Sequence, residues 1–161
     1  MRFLHVAWVA LTIRSTRRAK KQRAPVSGTY AAAVMTRFQA AFAALVLAQA
    51  AHSVEEYVGR LWESFPPARF LTGLISQDPE RGFLVLNVSL VAFGLWCFLW
   101  PVRRGWPSAV PLAWVWVAME VINGIGHSLW TLRQGGYTPG VATAPVLLAL
   151  AVYLALQVSR K

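Results

Sequence analysis

The sequence predicts an all-α integral membrane protein, a four-helix bundle with short loops. Three observations carry that prediction. Of 161 residues, 57% are hydrophobic, and the mean hydropathy is +0.46. The apolar residues come in unbroken blocks of about the 20 residues a bilayer-crossing helix needs, without the alternating polar faces of a soluble domain. Four such blocks use nearly all of the chain after Met35, which leaves room for one domain and little slack.

Residues 1–34 read as a basic extension. They hold Arg2, Arg14, Arg17, Arg18, Lys20, Lys21 and Arg23 and no acid, so the net charge of +10 is concentrated there. Residues 3–13 are apolar but too short to span, and their charges follow rather than precede them, which is the wrong order for a secretory signal peptide. They are expected to lie at the membrane interface, or to precede a native start at Met35. Beside a span, such a cluster faces anionic lipid and fixes orientation. Nucleic acid is not an expected partner, because no folded basic surface remains once the arm is set aside.

Residues 35–161 read as the four-span domain. The first span, 38–59, is rich in alanine, so a neighbouring helix can approach closely. The second, 83–100, is ended by Pro101. The third covers 110–131 and the fourth 141–158. Between the first two, residues 60–80 contain Pro66, Pro67 and a short apolar stretch, an interfacial loop with a helical turn or two. Trp62, Trp100, Trp106 and Trp130 fall near span ends, as aromatic belts do. Cys97 is the only cysteine, so an intramolecular disulfide and a cysteine-based metal knuckle are excluded. It reads as a small buried apolar residue. Counting cations puts both termini in the cytoplasm. The abundance of alanine and of arginine over lysine points to a bacterial cell membrane.

Charged side chains are expensive inside a bilayer, so those found there mark a site. Gln49, His52 and Glu56 lie at i, i+3 and i+7 on the first span, with Glu55 beside them. Glu120, Asn123 and His127 repeat that spacing on the third, and each stripe occupies one helix face. Asn87 sits about 9 Å into the second span, at the level of His52–Glu56 and His127. The polar groups therefore converge in the outer half of the bundle. Glu120 lies roughly 10 Å deeper than His127, which leaves its membership of the same site open.

Imidazole and carboxylate are good ligands for zinc, iron or manganese. His52, Glu56 and His127 are the expected ligands of one divalent ion, zinc favoured, since a di-iron site draws on four Glu and two His. Glu55 is the expected general base, with Glu120 as a second carboxylate for proton transfer. Asn87, Asn123, Tyr137 and Arg133 are the expected substrate-orienting groups. The same residues also allow metal-free acid–base chemistry, as in an isomerase, or plain hydrogen bonding between helices. The connection 133–140 reads either as a tight turn or as a lid, and Thr143 and Pro145 either as local helix-start residues or as part of the site.

His52-Ser-Val-Glu55-Glu56 reads as HxxEE, His127 follows, and Tyr137-Thr-Pro139-Gly140 reads as YxPG. In order and spacing these resemble the HXXEE-motif family of small multi-pass membrane proteins, from about Met35 to the C-terminus. The resemblance implies signature positions at His52, Glu55, Glu56, His127, Tyr137, Pro139 and Gly140, and no particular activity. From the chemistry of the residues, the expected function is a metal-dependent membrane enzyme, hydrolytic, acting on a lipidic or amphipathic molecule. The alternatives are an acid–base enzyme or a non-enzymatic binding protein. Nothing resembles a P-loop, a dinucleotide fingerprint or a Ser-His-Asp order.

Overall fold

The computed structural model describes residues 35–160, so the basic extension and the proposed start at Met35 bear on residues outside or at the edge of that range. The described residues are all-helical, with no strand among them. Helix α1, Arg37–Val58, begins with a capping box. The Thr36 hydroxyl accepts from Gln39 N (3.2 Å), and the Gln39 side chain accepts from Thr36 N (2.9 Å). Arg60, in the left-handed region at φ 53°, then turns the chain into two short helices. These are α2, Leu61–Ser64, and α3, Pro66–Gly73, the helical turns expected between the first two apolar blocks. Pro66 opens α3, where its missing N–H costs nothing.

Helix α4, Pro79–Cys97, is capped by Asp78, whose carboxylate accepts from Glu80 N (3.1 Å) and Arg81 N (3.2 Å). Pro101 does not end it. The helix widens into a π-helical segment, Phe98–Val102, where the wider ring spacing accommodates a residue that lacks the N–H donor. Helix α5, Ala109–Gln134, is stopped by Gly135 at φ 67°. Helix α6, Ala144–Val158, packs against both α5 and α1, and α1 packs against α4.

One apolar core joins the four longer helices. Phe42 and Leu45 of α1, Trp116 of α5 and Leu147 and Leu154 of α6 are fully buried, with Cys97 of α4 beside them as expected of a small apolar residue. Gly94 makes room for the Trp116 indole, to which a Cβ there would come within 2.8 Å. A smaller cluster of Leu61, Trp62, Ala68 and Phe83 covers the end of the bundle nearest the polar residues. Trp62, expected in an interfacial belt, is buried in it, its ring 5.0 Å from that of Phe83.

Two helices are long and apolar enough to cross a membrane: Pro79–Val102, which is α4 with its π-helical end, and α5. Of the four expected spans, these two meet that measure of length and composition among the described residues. The polar stripe dilutes α1, and α6 has only 15 residues, a rise of about 22 Å. It is shorter than the expected span 141–158 because residues 141–143 form turns that wrap a carboxylate of α1.

Candidate metal centre and cavity

His52 and Glu56 lie one turn apart on the buried face of α1, and α5 brings His127 against them. Glu56 Oε1 is 3.0 Å from His127 Nε2 and 3.3 Å from His52 Nε2. The two imidazoles meet edge to face, centroids 4.8 Å apart at 89°. All three residues are buried, and one ligand atom from each lies within 4.8 Å of the others, a group able to hold a metal ion. Sequence spacing therefore identified the three residues that the fold brings together.

Hydrogen-bond counting fixes the His52 tautomer. Thr143 Oγ1 lies 2.6 Å from both Glu55 Oε2 and His52 Nδ1. A carboxylate only accepts, so the single hydroxyl proton goes to Glu55, and Thr143 accepts from His52 Nδ1–H. In the neutral ring that places the lone pair on Nε2, which is buried without a hydrogen-bond partner, 3.3 Å from Glu56 Oε1. An imidazole that binds a metal holds its other N–H on just such an outer partner. This orphaned nitrogen and the donor set around it fit a divalent ion.

Glu55 faces the other way. Its Oε1 accepts from the Tyr137 hydroxyl (2.7 Å) and from the N–H groups of Gly140 and Ala142 (3.0 Å each). Its Oε2 accepts from Thr143 N (2.9 Å) and the Thr143 hydroxyl. The chain ahead of α6 thus closes around a carboxylate set at a helix N-terminus, where N–H groups and the helix dipole favour an anion. Expected as the general base, Glu55 has both oxygens committed to five donors, an arrangement suited to positioning and not to taking a proton. Tyr137, expected to orient substrate, spends its hydroxyl on Glu55. That bond to a carboxylate raises the phenol above its ordinary pKa of 10.0.

Gly140 explains why the loop ends as it does. It sits at φ +93°, and a Cβ there would lie 2.6 Å from His127 Nδ1 and 2.9 Å from His52 Cε1. Glycine alone permits both the left-handed backbone and the approach to two imidazoles. Pro139 packs on Gly59, where a Cβ would come within 2.6 Å of the proline Cγ. Thr138 is buried with its hydroxyl bonded to that of Thr131. The connection 133–140 is therefore neither a bare turn nor a detached lid; it forms one wall of the histidine pair. Arg133 stands exposed on the last turn of α5 and is not brought to the site.

A hydrogen-bonded line runs from α4 to α5 beneath the histidines. Asn87 Nδ2 donates to Phe83 O (3.2 Å), which turns its Oδ1 to accept from Ser53 Oγ (2.6 Å). The Gln49 amide lies between Ser53 (3.1 Å) and the buried Glu120 carboxyl, 3.0 and 3.2 Å from its two oxygens. Asn123 Nδ2 donates to Glu120 from 3.4 Å. Glu120 stands outside the three-residue metal group, but it lines the same cavity as Glu56 and His127. That cavity, about 390 Å³, has a polar floor of Gln49, Glu56, Asn87, Glu120, Asn123 and His127. The rest of its lining is mostly apolar, from Leu61, Phe65, Ala68 and Leu71 in the 61–73 segment and from Phe83, Leu86, Leu90, Met119 and Ile122 of α4 and α5.

Sequence reasoning undervalued Ser53 and Thr143 and overlooked Phe65, whose ring lies 5.7 Å from that of His127. Thr143 gave a signal: a threonine immediately before an apolar run is a helix-start residue, placed to meet an acceptor. Phe65 gave none, because it reaches the site only through the turn at Arg60.

Residues 43–154 match a protein family described as proteins of unknown function with an HXXEE motif. No curated protein and no solved structure matches the chain.

Proposed function

The chain belongs to the HXXEE family, whose description assigns no activity, and from its site we propose a metal-dependent membrane enzyme, hydrolytic, acting on a lipidic molecule. The observation that carries this reading is the buried His52 Nε2, its lone pair held toward Glu56 and His127 by the Thr143–Glu55 pair. His52, Glu56 and His127 would hold one divalent ion, zinc favoured over iron or manganese. Such an ion supplies a polarised carbonyl or an activated water. Asn123 and Asn87 line the space where a substrate would be held, and Glu120 is the carboxyl left to move a proton. Glu55 is a positioning residue that acts through Thr143.

The protein is proposed to be multi-pass in a bacterial cell membrane, with both termini cytoplasmic and the site in the outer half. Surface chemistry supports a lipid environment. Only 22% of the apolar window of Pro79–Val102 and 33% of that of α5 are buried inside the fold, whereas a soluble core helix hides most of its surface. Val88 and Trp96 of α4, Ile122 and Leu132 of α5 and Leu156 of α6 are among the apolar side chains left outside. Helix α1, with 22 residues, and α6, with local bilayer thinning around its 15, would complete a four-span bundle.

Metal content by mass spectrometry on detergent-purified protein tests the reading. About one ion per chain is expected, lost in His52→Ala and His127→Ala variants that keep their helical circular dichroism. No ion after reconstitution with zinc, iron and manganese would remove the metalloenzyme. The 3.0 Å contact between His127 Nε2 and Glu56 favours a second reading, metal-free acid–base catalysis through that pair. Activity that survives chelation would select it.

A further inference from the structure

We infer that Glu120 stands in the cavity as the neutral carboxylic acid, kept so by a one-way hydrogen-bonded line through Gln49, Ser53 and Asn87, and that it is the proton donor of the proposed reaction. The protonated state follows from the hydrogen bonds alone. The donor role deepens the proposed function and depends on it.

The line has one fixed end. A backbone carbonyl only accepts, so the Asn87 group 3.2 Å from Phe83 O is Nδ2, and Asn87 Oδ1 is left toward Ser53. Ser53 has a single hydroxyl proton and gives it to that oxygen across 2.6 Å. Its Oγ then has only lone pairs to offer Gln49, 3.1 Å away, so the Gln49 group that meets it is Nε2. Gln49 Oε1 is thereby turned to Glu120, 3.0 and 3.2 Å from the two carboxyl oxygens. Oxygen facing oxygen at that separation needs a proton between them, and of the two groups only the Glu120 carboxyl can carry it. Reversing the Gln49 amide would serve an ionised Glu120, but it would ask Ser53 for a second proton. Reversing Asn87 as well would set its oxygen against Phe83 O. With Glu120 protonated, each polar group of the line meets a partner of the right kind.

The surroundings agree. Glu120 is fully buried, and its one further hydrogen bond among the described residues is long, 3.4 Å from Asn123 Nδ2. The cavity lining holds no arginine or lysine to balance a second carboxylate beside Glu56. Its other ionisable members are Glu56 of α1 and His127 of α5, with His52 one turn from Glu56 and its proton on Nδ1. Helix α4 adds only the uncharged Asn87, and in α6 the one ionisable side chain, Tyr153, is exposed. An unpaired buried carboxylate is costly, and the neutral form avoids that cost.

Hydrolysis uses such a proton. Water forms the new bond to the acyl carbon, the bond to the leaving group breaks with its electron pair, and the Glu120 proton passes to the leaving atom. The carboxylate left behind faces the Gln49 oxygen, which favours recovery of the proton that the water gives up, so atoms and charges balance. Gln49, Ser53 and Asn87 are positioning residues that act through Glu120.

Infrared spectroscopy of detergent-purified protein at neutral pH, with ion content measured on the same samples, tests the protonated state. A protonated carboxyl gives a C=O band apart from the amide bands, which moves on deuteration and on isotope labelling of glutamate. The parent should show it and Glu120→Gln should lack it. Ser53→Ala should lose roughly half of it or more, because Gln49 is then free to turn Nε2 to an ionised Glu120. A parent without the band overturns the inference, as does a band that survives in helical Glu120→Gln protein or is unchanged in Ser53→Ala. Should Glu120→Gln fail to fold, Ser53→Ala decides. The band without a bound ion defeats the metal reading alone, and a bound ion without the band defeats this one alone. The donor role is read from two esters. Glu120→Gln should slow hydrolysis of ethyl dodecanoate about 100-fold or more, and that of p-nitrophenyl dodecanoate, whose anion leaves unaided, far less. Equal losses on both esters overturn the donor role. Hydrolysis of neither by the parent removes the proposed function and the donor role with it, while the spectrum still decides the acid.

Discussion

Glu55 and Glu56 stand one position apart on α1, yet the helix turns one carboxylate to the 137–143 loop and the other to the cavity. Glu55, partly exposed, meets five donors and does not line the cavity. Glu56 meets two imidazoles and the open side of a cavity about 390 Å³ in volume. Roughly 100° of helical rotation separates a carboxylate that organises backbone from one able to share an ion. The difference teaches that two acids in one motif need not be an acid–base pair. Here Glu55 accepts from the Thr143 hydroxyl, which in turn accepts from His52 Nδ1–H, while Glu56 faces Nε2 on the far side of the same ring.

Exchanging the two roles gives the largest effect. Glu56→Ala should remove the bound ion altogether, whereas Glu55→Gln should retain it with affinity lowered on the order of tenfold, as expected when an outer partner of a ligand is weakened. Isothermal titration with zinc measures both. Equal losses in the two variants would dissolve the distinction, and no loss in either would leave both acids as hydrogen-bonding groups between helices.

A second break comes from the wall that separates them. Gly140→Ala places a methyl group against both imidazoles and forces alanine to φ +93°. Left-handed backbone alone costs roughly 1–2 kcal/mol, and displacing the histidines adds to it. A fall in thermal midpoint with loss of the ion is expected, in contrast to Gly126→Ala, which meets open space. A Gly140→Ala protein that melts and binds zinc like the parent would show that the loop is not seated on the histidine pair.

These contrasts also mark how far the sequence could be read. Helical spacing was enough to group Gln49, His52 and Glu56 on one face, and Glu120, Asn123 and His127 on another, because a 3.6-residue period is a local property. The convergence of His52, Glu56 and His127 was expected from the cost of leaving ionisable groups toward an apolar surrounding. Which way Glu55 points did not follow, since it depends on where residues 137–143 return, and nothing local to α1 encodes that. Pro101 misled for a related reason: proline removes one hydrogen bond, but a π-helical turn can absorb the loss where surrounding packing favours continuation. Trp62 looked interfacial by its position near a span end, and is buried because Arg60 reverses the chain over Phe83. The fourth apolar block lost its first three residues to the turn that binds Glu55.

The smallest effect belongs to the outermost donor. Tyr137 is 69% exposed, so its bond to Glu55 competes with water, and Tyr137→Phe should cost only about 0.5 kcal/mol. The pH dependence is more telling than the size. Bonding to a carboxylate raises the phenol above its ordinary pKa of 10.0, so the folded protein holds that proton more firmly than the unfolded chain does. Its contribution is complete below about pH 10 and is lost as pH rises through the elevated value, where phenolate and carboxylate repel. Thermal midpoints compared between pH 8 and pH 11 should therefore converge for parent and Tyr137→Phe at the alkaline end. Because Gly140, Ala142 and Thr143 still supply four donors to Glu55, zinc affinity at pH 8 should stay within about twofold of the parent. A large loss of ion in this variant would mean that the tyrosine, and not the backbone of the loop, sets the direction of Glu55.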